Sequence, residues 1–284
     1  MPESVENPTN KALIILIPGL NGSGLELGQL PHFLQTNGHD ILVPEIEGYL
    51  YGSPPGKFNS WLSQLDNLID LQSQDYDSIH LGGISMGATL ALAIASQRSD
   101  VGNLILMSPV LKYDGWSVPW YRPFLDFFYM LGVRNWKYAE RQPYGVKNAE
   151  LRRRIGEKFK TSEVSAVGAA TITARHLHEA KGLMSFAQSY LHNINNRLLI
   201  IQSVEDDTCS VWSAREILRF TQSELRRVIW LGNSYHIVTI DNEREIVLNE
   251  VLRFLDRADA ANRSLDSYYS EHNLKKLKAR DVEV

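Results

Sequence analysis

The sequence predicts an α/β fold, with a mostly parallel central sheet flanked by helices and interrupted by an inserted helical segment. Three observations predict it. Short unbroken apolar runs recur along the chain, as strands buried on both faces require. Stretches with helical spacing of apolar residues lie between them, so strands and helices alternate. The alternation stops from Val110 to Asn196, where 87 residues pass without a convincing buried strand.

Ala12 to Ile17 is the first strand, a continuous run of Ala, Leu and Ile that leads through Pro18 and Gly19 to Leu20. Ile41 to Val43, Ser78 to Leu81 and Asn103 to Met107 follow, each with a turn signal behind it. Trp61, Leu62, Leu65, Leu68, Ile69 and Leu71 recur at three and four residues behind the N-cap candidates Asn59 and Ser60, which lays one apolar helix face on the sheet. Met86 to Ala95 is a second, more buried helix. Beyond the insertion, Leu198 to Ile201 and Arg227 to Leu231 read as strands around a helix over Val211 to Phe220. Ile246, Val247, Val251, Leu252 and Leu255 form the last amphipathic helix.

These elements divide the 284 residues into a core over 11–109 and 197–257, a cap insertion over 110–196, and polar tails over 1–10 and 258–284. A chain of this length buries about three quarters of its unfolded surface. Its 29 Lys and Arg against 33 Asp and Glu give a net charge of −4, so no basic excess points to nucleic acid. A single cysteine, Cys209, forms no internal disulfide and begins no Cys-rich metal site. No apolar run approaches the roughly 20 residues of a membrane span. The first ten residues carry Glu3 and Glu6 and no Lys or Arg, the wrong charge for a signal peptide. The expectation is a cytoplasmic protein.

Between Tyr113 and Tyr144 stand 11 of the chain's 27 aromatics, Trp116, Trp120, Tyr121, Phe124, Phe127, Phe128, Tyr129, Trp136 and Tyr138 among them. A small insertion needs large side chains to build a core, and the same residues line whatever cleft lies beneath it. Lys275, Lys276, Lys278 and Arg280 near the end read as a solvated face, with weak membrane-surface contact as the alternative.

Gly83-Ile84-Ser85-Met86-Gly87 matches Gly-x-Ser-x-Gly. The pattern alone occurs by chance in roughly one chain in ten of this length. Its setting decides: the Ser follows a short strand and opens an apolar helix, as a nucleophile elbow requires. So tight a turn needs Gly83 and Gly87 and small neighbours at Gly82 and Ala88. A hydroxyl needs a base, and the base an orienting acid, following the Ser in the order acid then His. Glu205-Asp206-Asp207 follows the strand Leu198 to Ile201, and His236 follows the strand ending at Leu231. All three acids reach the same turn, and Asp207 is also placed to cap the helix near Val211.

At these residues the chain resembles the α/β-hydrolase superfamily, and within it the small carboxylesterases and monoacylglycerol lipases of bacteria. The resemblance spans about Leu13 to Phe254. It is carried by Leu16-Ile17-Pro18-Gly19-Leu20-Asn21-Gly22-Ser23, by Gly83 to Gly87, by Ile201 to Asp206 and by Ser234-Tyr235-His236-Ile237-Val238-Thr239-Ile240-Asp241. It implies that Ser85 is the nucleophile, Asp206 the orienting acid and His236 the general base, with the N–H groups of Leu20 and Met86 as the oxyanion hole. It implies no cofactor and no metal, and a small-molecule acyl ester as substrate; the aromatic-rich insertion, not the resemblance, adds the expectation of a medium or long acyl chain, monoacylglycerol-like or lysophospholipid-like. Two features depart from the family pattern. Pro18 stands where relatives have His, so other hydrogen bonds must steady the oxyanion loop, and the insertion is longer and more aromatic than the smallest caps.

The same residues admit other chemistry, on a thioester or a carbon–carbon bond, and a non-catalytic binding protein on the same scaffold. His176 and His178, two apart, point away from each other on a helix and share no metal. Arg152-Arg153-Arg154 reads as a solvated face, Asp241 as an aid to the start of the last helix, and Cys209 as a small buried side chain.

Overall fold

The structure, a computed structural model, describes residues 11–118, 129, 131–132 and 136–257. Six strands form one parallel sheet: β1 (Ala12–Ile17), β2 (Asp40–Leu42), β3 (Ser78–Ile84), β4 (Val101–Met107), β9 (Leu198–Ser203) and β10 (Arg226–Leu231). Their spatial order is β2-β1-β3-β4-β9-β10. Every strand expected from an apolar run is present, most of them one to three residues longer at an end. The pattern arises because both faces are covered: along β1, Leu13, Ile15 and Ile17 join one core, while Ile14 and Leu16 join the other.

The first core is built by helices α2 (Phe58–Gln72), α3 (Met86–Ala95), α5 (Ala174–Ser189) and α6 (Trp212–Phe220). The second lies under α1 (Leu30–Thr36), α4 (Ala149–Lys158) and the last helix, α7, over 244–257. Helix α1 has no counterpart in the sequence expectation. It is seven residues long, has no side-chain cap and carries Pro31 in its first turn, so it offers little periodicity to detect. Helix α2 begins earlier than Asn59 or Ser60 predicts: Lys57 is its N-cap with no side-chain bond, and the Phe58 N–H donates to Glu179 of α5 at 3.0 Å.

The segment between β4 and β9 is not purely helical. It contains two antiparallel strand pairs, β5 (Lys137–Ala139) with β8 (Thr171–Thr173) and β6 (Val164–Ser165) with β7 (Gly168–Ala169). Strands of two or three residues are too short to display alternation, which is why no run announces them. The two polar tails, the basic cluster from Lys275 and the aromatics Trp120, Tyr121, Phe124, Phe127 and Phe128 lie outside the described residues.

From β1 the chain winds outward to β2, then returns to β3 on the other side of β1. Winding reverses there, so the carboxyl ends of β1 and β3 open a crevice where a ligand fits. The turns after β1, β3, β9 and β10 all end at this edge.

Candidate active site

Ser85 stands between β3 and α3 with φ 57° and ψ −122°, a left-handed conformation that a side chain adopts only under constraint. Its N–H is held by the Met107 carbonyl at 2.9 Å. The turn closes because its flanks are glycine: a Cβ on Gly83 would strike the backbone of Gly87, and one on Gly87 the carbonyls of Ile17 and Pro18. On Gly82 it would come within 2.7 Å of Leu16. The outcome is a hydroxyl raised at a helix N-terminus.

His236 Nε2 lies 2.8 Å from Ser85 Oγ, and its Nδ1 lies 3.0 and 2.9 Å from the two oxygens of Asp206. Of the three acids in that turn, Asp206 is the one the fold brings to the histidine. Its Oδ1 also accepts the N–H groups of Thr208 and Cys209 at 2.8 and 2.9 Å, and its Oδ2 the Gln202 amide at 2.9 Å. Glu205 turns outward to Lys147. Asp207 does not cap α6: its Oδ2 accepts the Gly145 N–H at 3.2 Å, while Asp114 receives the N–H and hydroxyl of Ser210 just before that helix.

Burial alone would raise the Asp206 carboxyl, but the His236 ring and the converging N–H donors hold it below the ordinary Asp value. Burial alone would lower the His236 imidazole. The Asp206 carboxylate against Nδ1, with Asp207 and Glu140 behind it, outweighs that and raises it above 6.5. An imidazole held this way keeps its proton on Nδ1 and offers the Nε2 lone pair to the serine hydroxyl.

The turn after β1 presents the second set of groups. Neither the Leu20 nor the Met86 N–H donates to an acceptor among the described residues, and Leu20 lines the same cleft as Ser85. The bonds that steady this turn in the absence of a histidine at Pro18 come from residues that sequence reasoning missed. Glu26, 2 % exposed, accepts the Gly19 N–H at 2.9 Å and the Ser23 N–H at 3.3 Å. A Cβ on Gly22 would collide with its carboxylate. Burial raises the Glu26 carboxyl, and the surrounding backbone N–H groups offset part of that. Tyr49, fully buried, donates its hydroxyl to the Pro18 carbonyl at 2.8 Å, and its own carbonyl accepts the Asn21 N–H at 2.9 Å. Glu26 stands just behind a glycine-rich turn, whereas Tyr49, 31 residues past Pro18, carries no sequence signal.

Ser85 and His236 open into a cleft of about 200 Å³. Part of its lining comes from the segment between β4 and β9: Tyr113, Tyr138, Tyr144, Ile172 and Leu177, with Glu140 among them. Glu140 is exposed to the cleft, and the protein massed around it, then the neighbouring Asp207 charge, push its carboxyl up to about 7. Asp241 ties this segment to the histidine loop. Buried completely, it accepts the N–H groups of Lys147 and Asn148 at 2.7 and 2.9 Å from the segment between β4 and β9 and of Tyr235 at 2.8 Å beside His236. Its role is therefore larger than starting α7.

The remaining candidates are structural. His176 is buried and pairs with Thr173, and His178 stacks on Tyr129 with ring centres 4.3 Å apart. Arg153 and Arg154 pair with Glu150 on the α4 surface. Cys209 is fully buried, its thiol pushed well up by burial and by Asp206, so it is no thiolate nucleophile. Asp206, Cys209 and His236 form the one group of metal-ligating types among the described residues, and Asp206 and His236 already bond each other.

A serine hydroxyl bonded to a histidine, itself bonded to a buried aspartate, at the carboxyl edge of a parallel sheet wound in this order defines a serine hydrolase of the α/β-hydrolase class. The chain belongs to the family described as serine aminopeptidase, S33, whose model matches residues 8–244. It is 23 % identical over 253 residues to a protein of Bacillus subtilis (strain 168) named carboxylesterase, covering 87 % of this chain and 93 % of that one. It is 22 % identical over 244 residues to one of Bacillus sp. (strain H-257) named thermostable monoacylglycerol lipase, covering 85 % and 89 %. Among solved structures, the monoacylglycerol lipase of Paleococcus ferrophilus shares the fold with a TM-score of 0.73 at 15 % identity, covering 87 % of this chain and 94 % of that one.

Proposed function

We propose that the protein hydrolyses carboxylic esters with a medium or long apolar acyl chain through an acyl-enzyme on Ser85. The observation that carries the reading is the unbroken line from Ser85 Oγ through His236 to Asp206, with contacts of 2.8 and 2.9 Å. His236 Nε2 takes the hydroxyl proton as Ser85 Oγ attacks the ester carbonyl carbon, and Asp206 holds the imidazolium that forms. The negative charge on the carbonyl oxygen meets the Leu20 and Met86 N–H groups, a donor pair of which each is worth about 10²–10³ in rate. When the carbon–oxygen bond breaks, His236 gives its proton to the departing alcohol. Water, deprotonated by the same nitrogen, then attacks the acyl-Ser85 ester and releases the acid.

The names of the two Bacillus relatives support ester hydrolysis as the reaction. In this reading the segment 110–196 acts as a cap over a core of 11–109 and 197–257, and Ile172, Leu177 and Val167 receive the acyl chain. A monoacylglycerol-like ester suits the cleft better than a lysophospholipid, since no Lys or Arg stands among its described lining residues to meet a phosphate. The lone buried cysteine needs no oxidising compartment, consistent with the cytoplasm. Among the described residues no helix is long and apolar enough to cross a membrane.

The test is intact-mass analysis after treatment with a fluorophosphonate. Wild type gains one adduct and Ser85→Ala none, and a series of 4-nitrophenyl esters then favours chains longer than acetate. An unlabelled wild type would move a non-catalytic binding role ahead of this one.

A further inference from the structure

Asn21, directly after Leu20, is buried and has a φ of 57°, a left-handed conformation that Asn tolerates better than most residues but that still needs support. Three hydrogen bonds supply it. The Asn21 N–H donates to the Tyr49 carbonyl at 2.9 Å, in the loop after β2. The other two bonds reach the segment between β4 and β9. Asn21 Nδ2 donates to the Thr171 carbonyl at 2.8 Å, across 150 residues of chain, and the Ala169 N–H donates to the Asn21 carbonyl at 3.3 Å. Gly168 lets the two backbones meet: a Cβ there would stand 3.4 Å from the Gly22 Cα and 3.5 Å from the Asn21 carbonyl oxygen, and its φ is 97°.

The stretch that bonds Asn21 also lines the cleft. Val167 comes just before Gly168 and Ala169, Ile172 just after Thr171, and both border the space into which Ser85 opens. Leu20 therefore lies between two anchored residues: Gly19, held by Glu26 of its own turn, and Asn21, held by residues 169 and 171. Whatever orders the stretch 167–172 steadies the peptide that carries the Leu20 N–H. We propose that Asn21 is a positioning residue that couples the acyl chain to the oxyanion hole. A chain lying against Val167 and Ile172 fixes the stretch that holds Asn21, and so raises kcat as well as lowering KM. Contact energy gained far from the reacting carbon is then realised in the transition state, where a donor misplaced by about 1 Å costs up to about 10² in rate. The inference rests on the esterase reading above, in which the Leu20 N–H meets the carbonyl oxygen, and deepens it.

A chain-length series tests it, with 4-nitrophenyl acetate, butyrate and hexanoate as substrates and each kcat divided by that ester's rate with hydroxide. In wild type the normalised kcat is expected to rise about tenfold from acetate to hexanoate. Asn21→Gly leaves the left-handed conformation free of strain and removes only the amide. In that variant the rise in kcat should shrink to within twofold, while KM still falls along the series, by up to about fourfold for each buried CH₂. Because acetate is the reference on the same enzyme, a general loss of activity cancels. Asn21→Asp, which keeps the shape but turns an oxygen toward the Thr171 carbonyl, should flatten kcat in the same way and serves if the Gly variant does not fold. A second readout isolates the oxyanion. 1,1,1-Trifluorooctan-2-one takes Ser85 Oγ onto its carbonyl carbon, with the hydroxyl proton passing to His236 and an oxyanion left in the hole. It should bind the variant about tenfold more weakly, whereas octan-2-ol, which forms no oxyanion, should inhibit both proteins alike. A wild-type kcat that does not rise with chain length, or a rise that survives in a folded Asn21 variant, overturns the proposal. Failure of wild type to cleave any of the three esters would overturn the esterase reading itself, and this inference with it.

Discussion

The Oε1 of Glu26 accepts the Gly19 N–H from seven residues upstream at 2.9 Å, so one buried carboxylate sets the turn from which Leu20 presents its own N–H. Glu26→Gln keeps the volume but places an NH₂ against one of the two N–H donors that the carboxylate now serves. The expected result is a loss of about 1–3 kcal/mol in urea unfolding, with kcat lowered by about 10²-fold, the scale of a misplaced oxyanion donor. Wild-type kcat in a folded Glu26→Gln protein would remove Glu26 from the support of this turn.

Asp206 and Asp207 are adjacent in sequence and differ in what they touch. Asp206→Asn leaves the wrong tautomer of His236 favoured and should cost on the order of 10⁴ in kcat. Asp207→Asn retains an oxygen for the Gly145 N–H and should stay within a few-fold of wild type on a neutral ester. Steady-state kinetics of the two variants decide the assignment, and reversed responses would transfer it to Asp207.

The acid limb of activity reports His236. The base works only when neutral, and its pKa is raised above 6.5, so kcat/KM for a neutral ester should fall as pH drops through a midpoint above that value. Asp206→Asn removes the main charge that raises the imidazole and leaves burial, which lowers it. The midpoint of the residual activity should therefore move to lower pH. A midpoint that stays in place would mean that another group controls the limb.

How much of this was legible in the sequence depends on the range of the contacts involved. The strands could be read because both sheet faces are covered, which turns Leu13 to Ile17 into an uninterrupted apolar run. Ser85 and His236 could be read because the elbow and the order of the triad are local patterns placed after strands. Asp206 could not be separated from Glu205 and Asp207 by spacing. Only the folded turn aims one of the three at the ring and sends the others to Lys147 and Gly145. Glu26, Tyr49 and Glu140 carry no motif at all. The groups that Glu26 and Tyr49 bond become neighbours only when the turn after β1 folds, and Glu140 reaches the cleft only when the segment between β4 and β9 packs at the sheet edge.

Asp241 extends that point to stability. It sits fully buried, where its two oxygens collect N–H groups from Lys147 and Asn148 on one side and from Tyr235 on the other, 94, 93 and 6 residues away. Asp241→Ala takes the acceptor from these three half-buried donors, each worth up to about 1–3 kcal/mol when left unsatisfied. The expected loss is about 3 kcal/mol or more, a fall of roughly 6–12 °C in Tm for a domain of this size. Asp241→Asn keeps one acceptor oxygen and should fall between Ala and wild type. Since Tyr235 immediately precedes His236, the Asn variant should also lose kcat at temperatures where it is fully folded. Full activity in a destabilised Asn variant would confine Asp241 to anchoring the insertion, whereas lost kcat at retained fold shows that the same carboxylate also orients the histidine loop.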